Sequence, residues 1–172
     1  MSGVASRVDD AARAPAQFEA YYRERIAPTV RLAALLGCED PENAAQEAMV
    51  RLHARWPGLA TDADATAFLR RIVVNLSRDQ WRRSQLRRRK PRYDVAVTAT
   101  VEDLAVVREE HREVLAGIAR LSTRQREAVI LRYWQDLAEA EIAAAMNTSA
   151  GSVKTHLSRA MRSLTQYLEV RR

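Results

Sequence analysis

The segment "LAEAEIAAAMNTSAGSVKTHLSRAM", residues 137–161, admits few folds. Leu137, Ile142 and Met146 lie at helical spacing, and so do Val153, Leu157 and Met161. Between the two sets stand only the six residues "NTSAGS", which carry no periodicity. Asn147 falls where the chain must turn, and Asn accepts the left-handed conformation better than most residues. Ser149 is placed to cap the second helix. Two helices joined this tightly must fold back on one another along their apolar faces. This is the helix-turn-helix pattern, in which the second helix enters the major groove of DNA N-terminus first. A plain helical hairpin is the competing reading.

Gly151 sharpens the question. It sits in the first turn of the second helix, where glycine costs roughly 0.5–1 kcal/mol relative to alanine. A helix N-terminus offers unbonded N–H groups and a partial positive charge to phosphate, and without a side chain at Gly151 the backbone can come close. Lys154, Arg159 and Arg162 then add phosphate contacts. Ser149, Ser152, Thr155, His156 and Ser158 complete the polar side, the last four as candidates for base edges. A solvated surface helix with a weak start is the bland alternative.

The rest of the chain also reads as helix. Only 5 Gly and 5 Pro occur among 172 residues, aromatic residues make up 6%, and runs of Ala, Leu, Arg and Glu recur. An all-α protein of two small helical domains is expected. Positions 1–14 read as a disordered tail. Helices follow at about 16–26 and 28–36, divided by Pro28, because proline inside a helix removes a donor and clashes with the preceding turn. Asp40 as N-cap and Pro41 open a helix that Pro57 and Gly58 stop. "GLATDADAT" reads as a loop before a long helix of about 65–89, with Phe68, Leu69, Ile72, Val73 and Leu76 on its apolar side. Periodicity fails over 90–101, which reads as a flexible linker with a short strand as the minor alternative. Helices are expected again at about 102–120, 123–134, 138–146 and 150–168. Ser122 with Gln125 forms a capping box at the second of these. The domains are thus 15–89 and 102–169.

Charge singles out the long helix. The formal net charge is +6, which favours an anionic partner. Within 68–92 ten basic residues face Asp79 alone. Steps of four, three and four link Arg71, Asn75, Arg78 and Arg82 into one polar stripe, Arg83 extends it, and Trp81 lies among them. Cations interleaved with an aromatic suit single-stranded nucleic acid, where phosphates need charge and bases stack. A solvated helix end is the simpler reading, and a membrane-surface helix lacks large apolar residues there.

Other chemistry finds no support. No nucleophile triad, phosphate-binding glycine loop or metal-ligand spacing is present, so no enzyme, metal or cofactor is expected. Cys38 is the single cysteine, which excludes an intrachain disulfide. No run approaches the ~18 apolar residues of a membrane span, and the N-terminus lacks an apolar signal region, so a cytoplasmic protein without membrane insertion is expected.

"FLRRIVVNLSRDQWRR" and "LSTRQREAVILRYWQDLAEAEIAAAMNTSAGSVKTHLSRAMRSL" together resemble a known family. They are similar to regions 2.3–2.4 and 4 of bacterial RNA polymerase sigma factors of the extracytoplasmic-function group, most of all the actinobacterial SigE-type branch. The resemblance covers about 16–90 and 103–168. It implies a promoter-specificity subunit. Sigma domain 2 would hold the β′ clamp helices of core RNA polymerase and open the minus-ten element of promoter DNA. Asn75 would hold a flipped base, the loop Leu59 to Asp64 would shape its pocket, and Arg71, Arg78, Arg82 and Arg83 would hold phosphates beside Trp81. Sigma domain 4 would read the minus-thirty-five element with the helix of 150–164 and dock on the β flap. An anti-sigma factor clasped between the domains is a further expected partner. Asn43, Ala44, Ala45, Gln46 and Glu47 stand where the family usually has Asp-Leu-Val-Gln-Glu, so Gln46 and Glu47 keep the polymerase-binding pattern and Asn43 departs from it. Ala138 replaces a common serine cap, and Asn147 a common glycine. A self-standing helix-turn-helix regulator and a two-domain scaffold are the competing functions.

Overall fold

Side-chain caps decide where most of the helices begin. The computed structural model describes residues 5–87 and 109–170, the side chains among them from 17 to 86 and from 112 to 170. The expected linker of 90–101, the first part of the helix expected over 102–120 and the end of the long helix past Arg87 lie outside the described residues. Within them the chain is helical and contains no strand: α1 (Ala5–Leu35), α2 (Pro41–Arg55), α3 (Asp62–Arg87), α4 (Glu109–Ala119), α5 (Thr123–Val129), α6 (Glu139–Met146) and α7 (Ala150–Glu169).

Asp40 accepts from the Asn43 N–H at 3.0 Å and Pro41 occupies the first turn, as the sequence predicts for α2. Ser122 and Gln125 form the capping box of α5, and Ser149 accepts from the Ser152 N–H at 3.1 Å to start α7. At α6, Ala138 has no side-chain acceptor, yet the Glu141 carboxylate reaches back to the Ala138 N–H at 2.9 Å. Half a capping box therefore holds this start in the absence of the serine.

Three elements differ from expectation. The helices expected at 16–26 and 28–36 are one, α1, which also begins within the expected tail. Tyr21, Leu32, Ala33 and Leu36 on either side of Pro28 are all buried, and α1 packs on α2 and α3. That shared packing outweighs the lost donor at Pro28, a tertiary override of local propensity. Next, α3 begins three residues before the expected Ala65. Thr61 and Asp64 cap each other reciprocally, each backbone N–H meeting the other's side-chain oxygen at 3.1 Å. Finally, α5 widens after Val129 into a π turn over Ile130–Trp134. The Gln135 N–H reaches Ile130 O at 3.2 Å, and Tyr133 and Trp134 turn outward.

Two helix ends use the same left-handed closure. Gly37 (φ 88°) ends α1, with Cys38 N–H on Ala33 O and Gly37 N–H on Ala34 O. Asn147 (φ 50°) ends α6, with Thr148 N–H on Ala143 O and Asn147 N–H on Ala144 O. The second closure makes the turn before α7.

The two halves of the chain share one core. Met49, Leu52, Leu69 and Val73 from the first half join Leu131, Ile142, Met146 and Val153 from the second in one buried cluster, and α3 packs on α6. Leu121, Val129, Ala160 and Leu164 form a smaller cluster under α7.

Cys38 lies inside this arrangement. Burial, reinforced by the negative charge of Asp40, pushes its thiol up to about 12. Only the thiolate is a strong nucleophile. The native chain is therefore expected to resist iodoacetamide at neutral pH, whereas the urea-unfolded chain is alkylated fully. Mass spectrometry of quenched samples reads the difference.

Candidate nucleic-acid interface

α7 turns one side inward and presents the rest. Val153, Ala160 and Leu164 are buried and Leu157 is half-buried. Met161, read as part of the apolar face, is 43% exposed, because steps of four, three and four from Val153 reach Ala160 instead. Alanine is a weak periodicity signal, and the larger Met161 masked it.

The outer side carries the expected polar residues. Gly151, Lys154, Thr155, Ser158, Arg159 and Arg162 are exposed, and Ser152 and His156 are half-buried. Ser149, Gly151, Ser152, Thr155 and His156 line a shallow recess at the start of the helix. Three hydroxyls are already engaged: Ser149 caps the helix, Ser152 Oγ lies within hydrogen-bond distance of Ser149 Oγ at 2.9 Å, and Thr155 Oγ1 donates to Gly151 O at 3.0 Å. Lys154 pairs loosely with Glu139 at 3.6 Å. Burial, with the cations Arg124 and Arg159, lowers the pKa of His156. At neutral pH His156 is therefore an uncharged donor and acceptor.

The fold has room at Gly151. A Cβ there would meet only Ser149 Oγ, at 3.9 Å. The chain's own packing does not require this glycine. Ser149 has a plain structural job, since removing such a cap costs about 1 kcal/mol. The Ser149→Ala chain is expected to melt about 2–4 °C earlier in a circular-dichroism thermal scan.

On α3, Arg71, Asn75, Trp81, Arg82 and Arg83 are exposed. Arg82 stands 3.6 Å from Asp79, a surface contact of small energetic weight. Arg78 is set apart: its side chain is 11% exposed and pairs with Glu127 of α5. The expected pocket loop, Leu59 to Asp64, is shortened, because Thr61 caps α3 and Asp62 to Asp64 form its first turn. On α2, Asn43 and Gln46 are exposed, and Glu47 is half-buried and pairs with Arg51 at 2.5 Å.

Two models of the sigma-70 family match the chain. Region 2 covers residues 18–87 and region 4 covers residues 111–164. The RNA polymerase sigma-E factor of Streptomyces avermitilis is 36% identical over 160 residues, spanning 90% of this chain and 87% of that one. The chain belongs to the sigma-70 family.

As a sigma factor of the extracytoplasmic-function group it directs transcription initiation by RNA polymerase and is not an enzyme. The factor SigM of Mycobacterium tuberculosis is 31% identical over 159 residues, 88% of this chain and 76% of that one. The fold matches RpoE of Bartonella quintana, solved with the anti-sigma factor NepR, with a TM-score of 0.68 at 20% identity over 91% of this chain and 99% of that one. Both regions together, over most of the chain, leave the self-standing regulator without support. Among the described residues no helix of this sigma factor is long and apolar enough to cross a membrane, and no acid, His or Cys cluster is arranged for a metal ion.

Sequence reading missed two features of this surface. Val50 is 70% exposed on α2, three residues past Glu47 and seven past Asn43, so it extends the same side of the helix. Its signal was an aliphatic residue in register with polar ones. Glu127, the partner of Arg78, looked like any charged residue of an amphipathic helix.

Proposed function

We propose that α3 and α7 of this sigma factor read the two parts of one promoter. In this reading α7 enters the major groove of the minus-thirty-five element with its N-terminus foremost, and Gly151 lets its backbone approach the phosphates. Lys154, Arg159 and Arg162 hold phosphates, while Ser152, Thr155, His156 and Ser158 face base edges. Ser149 acts there by fixing the helix start. On α3, Asn75 holds a flipped base of the minus-ten element, Trp81 stacks, and Arg71, Arg82 and Arg83 neutralise the strand. The observation that carries this reading is the open space at Gly151, a glycine placed at a helix start with no internal need for it.

Residues 15–89 and 102–169 are the two functional units. The α2 side made by Asn43, Gln46, Glu47 and Val50 takes the β′ clamp helices of core polymerase, and the second unit takes the β flap. The work is cytoplasmic. An anti-sigma factor is the expected regulator, in keeping with the complex of the structural relative from Bartonella quintana. The test compares promoter duplex binding by the chain alone and by the chain with core polymerase. Tight sequence-specific binding is expected only with core. Equal binding without it would contradict the reading.

A further inference from the structure

The recess at the start of α7 holds four side chains able to form hydrogen bonds, and three of them are already committed. Ser149 Oγ accepts from the Ser152 N–H at 3.1 Å, and the Ser149 and Ser152 hydroxyls lie 2.9 Å apart. Thr155 Oγ1 donates to Gly151 O at 3.0 Å. The fourth is His156, half-buried in the same recess. Among the described residues its ring has no hydrogen-bond partner. Ser158 is exposed further along the helix and does not line the recess.

Hydroxyl and imidazole differ in what they can discriminate. A hydroxyl donates and accepts about one rotatable bond, so even its spare capacity suits any base. A neutral imidazole donates from one ring nitrogen and accepts at the other. Charge decides which nitrogen of His156 faces outward. Arg124 of α5 and Arg159 of α7 are the cations beside it, and Glu127 of α5 is the neighbouring acid. Glu127 acts on His156 more weakly than either cation and is already bound by Arg78. Two cations favour the arrangement in which the ring lone pair turns toward them and the N–H turns to the groove. In the major groove guanine presents two acceptors, N7 and O6, whereas adenine presents N7 beside an amino donor.

We propose that His156 is the base-selecting residue of α7, donating its ring N–H to the guanine of one G·C pair in the minus-thirty-five element, while the hydroxyls of Ser149, Ser152 and Thr155 fix the helix start. This role rests on the reading of α7 as the minus-thirty-five helix, and it assigns both the selecting side chain and the base.

The test uses holoenzyme assembled from core polymerase and the full chain, on a promoter that it uses, with the upstream element randomised and the bound templates sequenced. The parent is expected to prefer a G·C pair at one position of that element. His156→Ala should lower this preference about tenfold and leave the other positions unchanged. His156→Gln should move it to A·T, because a glutamine amide pairs with N6 and N7 of adenine. His156 lies outside both buried clusters, so both variants are expected to fold. Ser152→Ala and Thr155→Val should keep every preference of the parent. Parent preferences retained by both His156 variants, at native helical content, overturn the role of His156 and leave α7 as the reading helix. A preference lost at an A·T pair overturns the donation to guanine. A position that loses its preference in Ser152→Ala or Thr155→Val overturns the assignment of those hydroxyls to the helix start. A parent with no preference anywhere in the upstream element overturns the reading of α7 and the role of His156 together.

Discussion

Replacing Arg71, Arg82 and Arg83 together by alanine is expected to lower open-complex formation roughly a hundredfold, at about 1 kcal/mol for each exposed cation–phosphate contact. The three side chains are exposed on one helix around Asn75 and Trp81. Each single-strand phosphate contact contributes about 0.7 to the slope of log affinity against log salt, so the slope should flatten by about two units. Asn75→Ala, by contrast, removes no charge. It should weaken opening while leaving the salt slope unchanged. Open-complex yields measured across a salt series separate the two effects. An unchanged slope in the triple variant would remove α3 from the promoter surface.

The second large effect is on stability. Ile142→Ala is expected to destabilise the chain by about 2–5 kcal/mol, the range for deleting a buried aliphatic side chain and leaving its cavity. Ile142 is fully buried, and its helix α6 packs on both α3 and α7. With neighbours on both sides the site has little room to collapse. Domains of ordinary stability have about 5–15 kcal/mol in total, so this one change removes a large share. Because the core is common to both halves, urea unfolding followed by circular dichroism should remain a single transition with a lowered midpoint. Two separated transitions in the parent would contradict a shared core.

Local signals were legible at most places where a side chain answers a backbone group close in sequence. Asp40, Ser122 and Ser149 each mark a helix start that the structure keeps. The turn at Asn147 was legible for the same reason, since its left-handed backbone depends on the residue itself. Thr61 escaped notice because its capping partner is Asp64, within a stretch that reads as loop. Pro28 misled because local rules omit packing: the buried residues flanking it hold α1 together. The π turn after Val129 has no side-chain signature at all.

The candidate surface divides in the same way. Periodicity was enough to place Asn75, Arg71 and Arg82 on one helix face, and the outer side of α7. Periodicity cannot say which cation of a stripe meets another part of the chain. Arg78 and Glu127 are 49 residues apart, and only the tertiary packing of the two halves brings them together.

Transcription from a fragmented genomic template by purified core polymerase, with start sites sequenced, tests the central claim most directly. With this chain added, transcripts should begin at a discrete set of positions, each preceded by two short sequence elements at fixed spacing. The Asn75→Ala chain should lose those starts. Start sites no different from those of core polymerase alone would contradict the account.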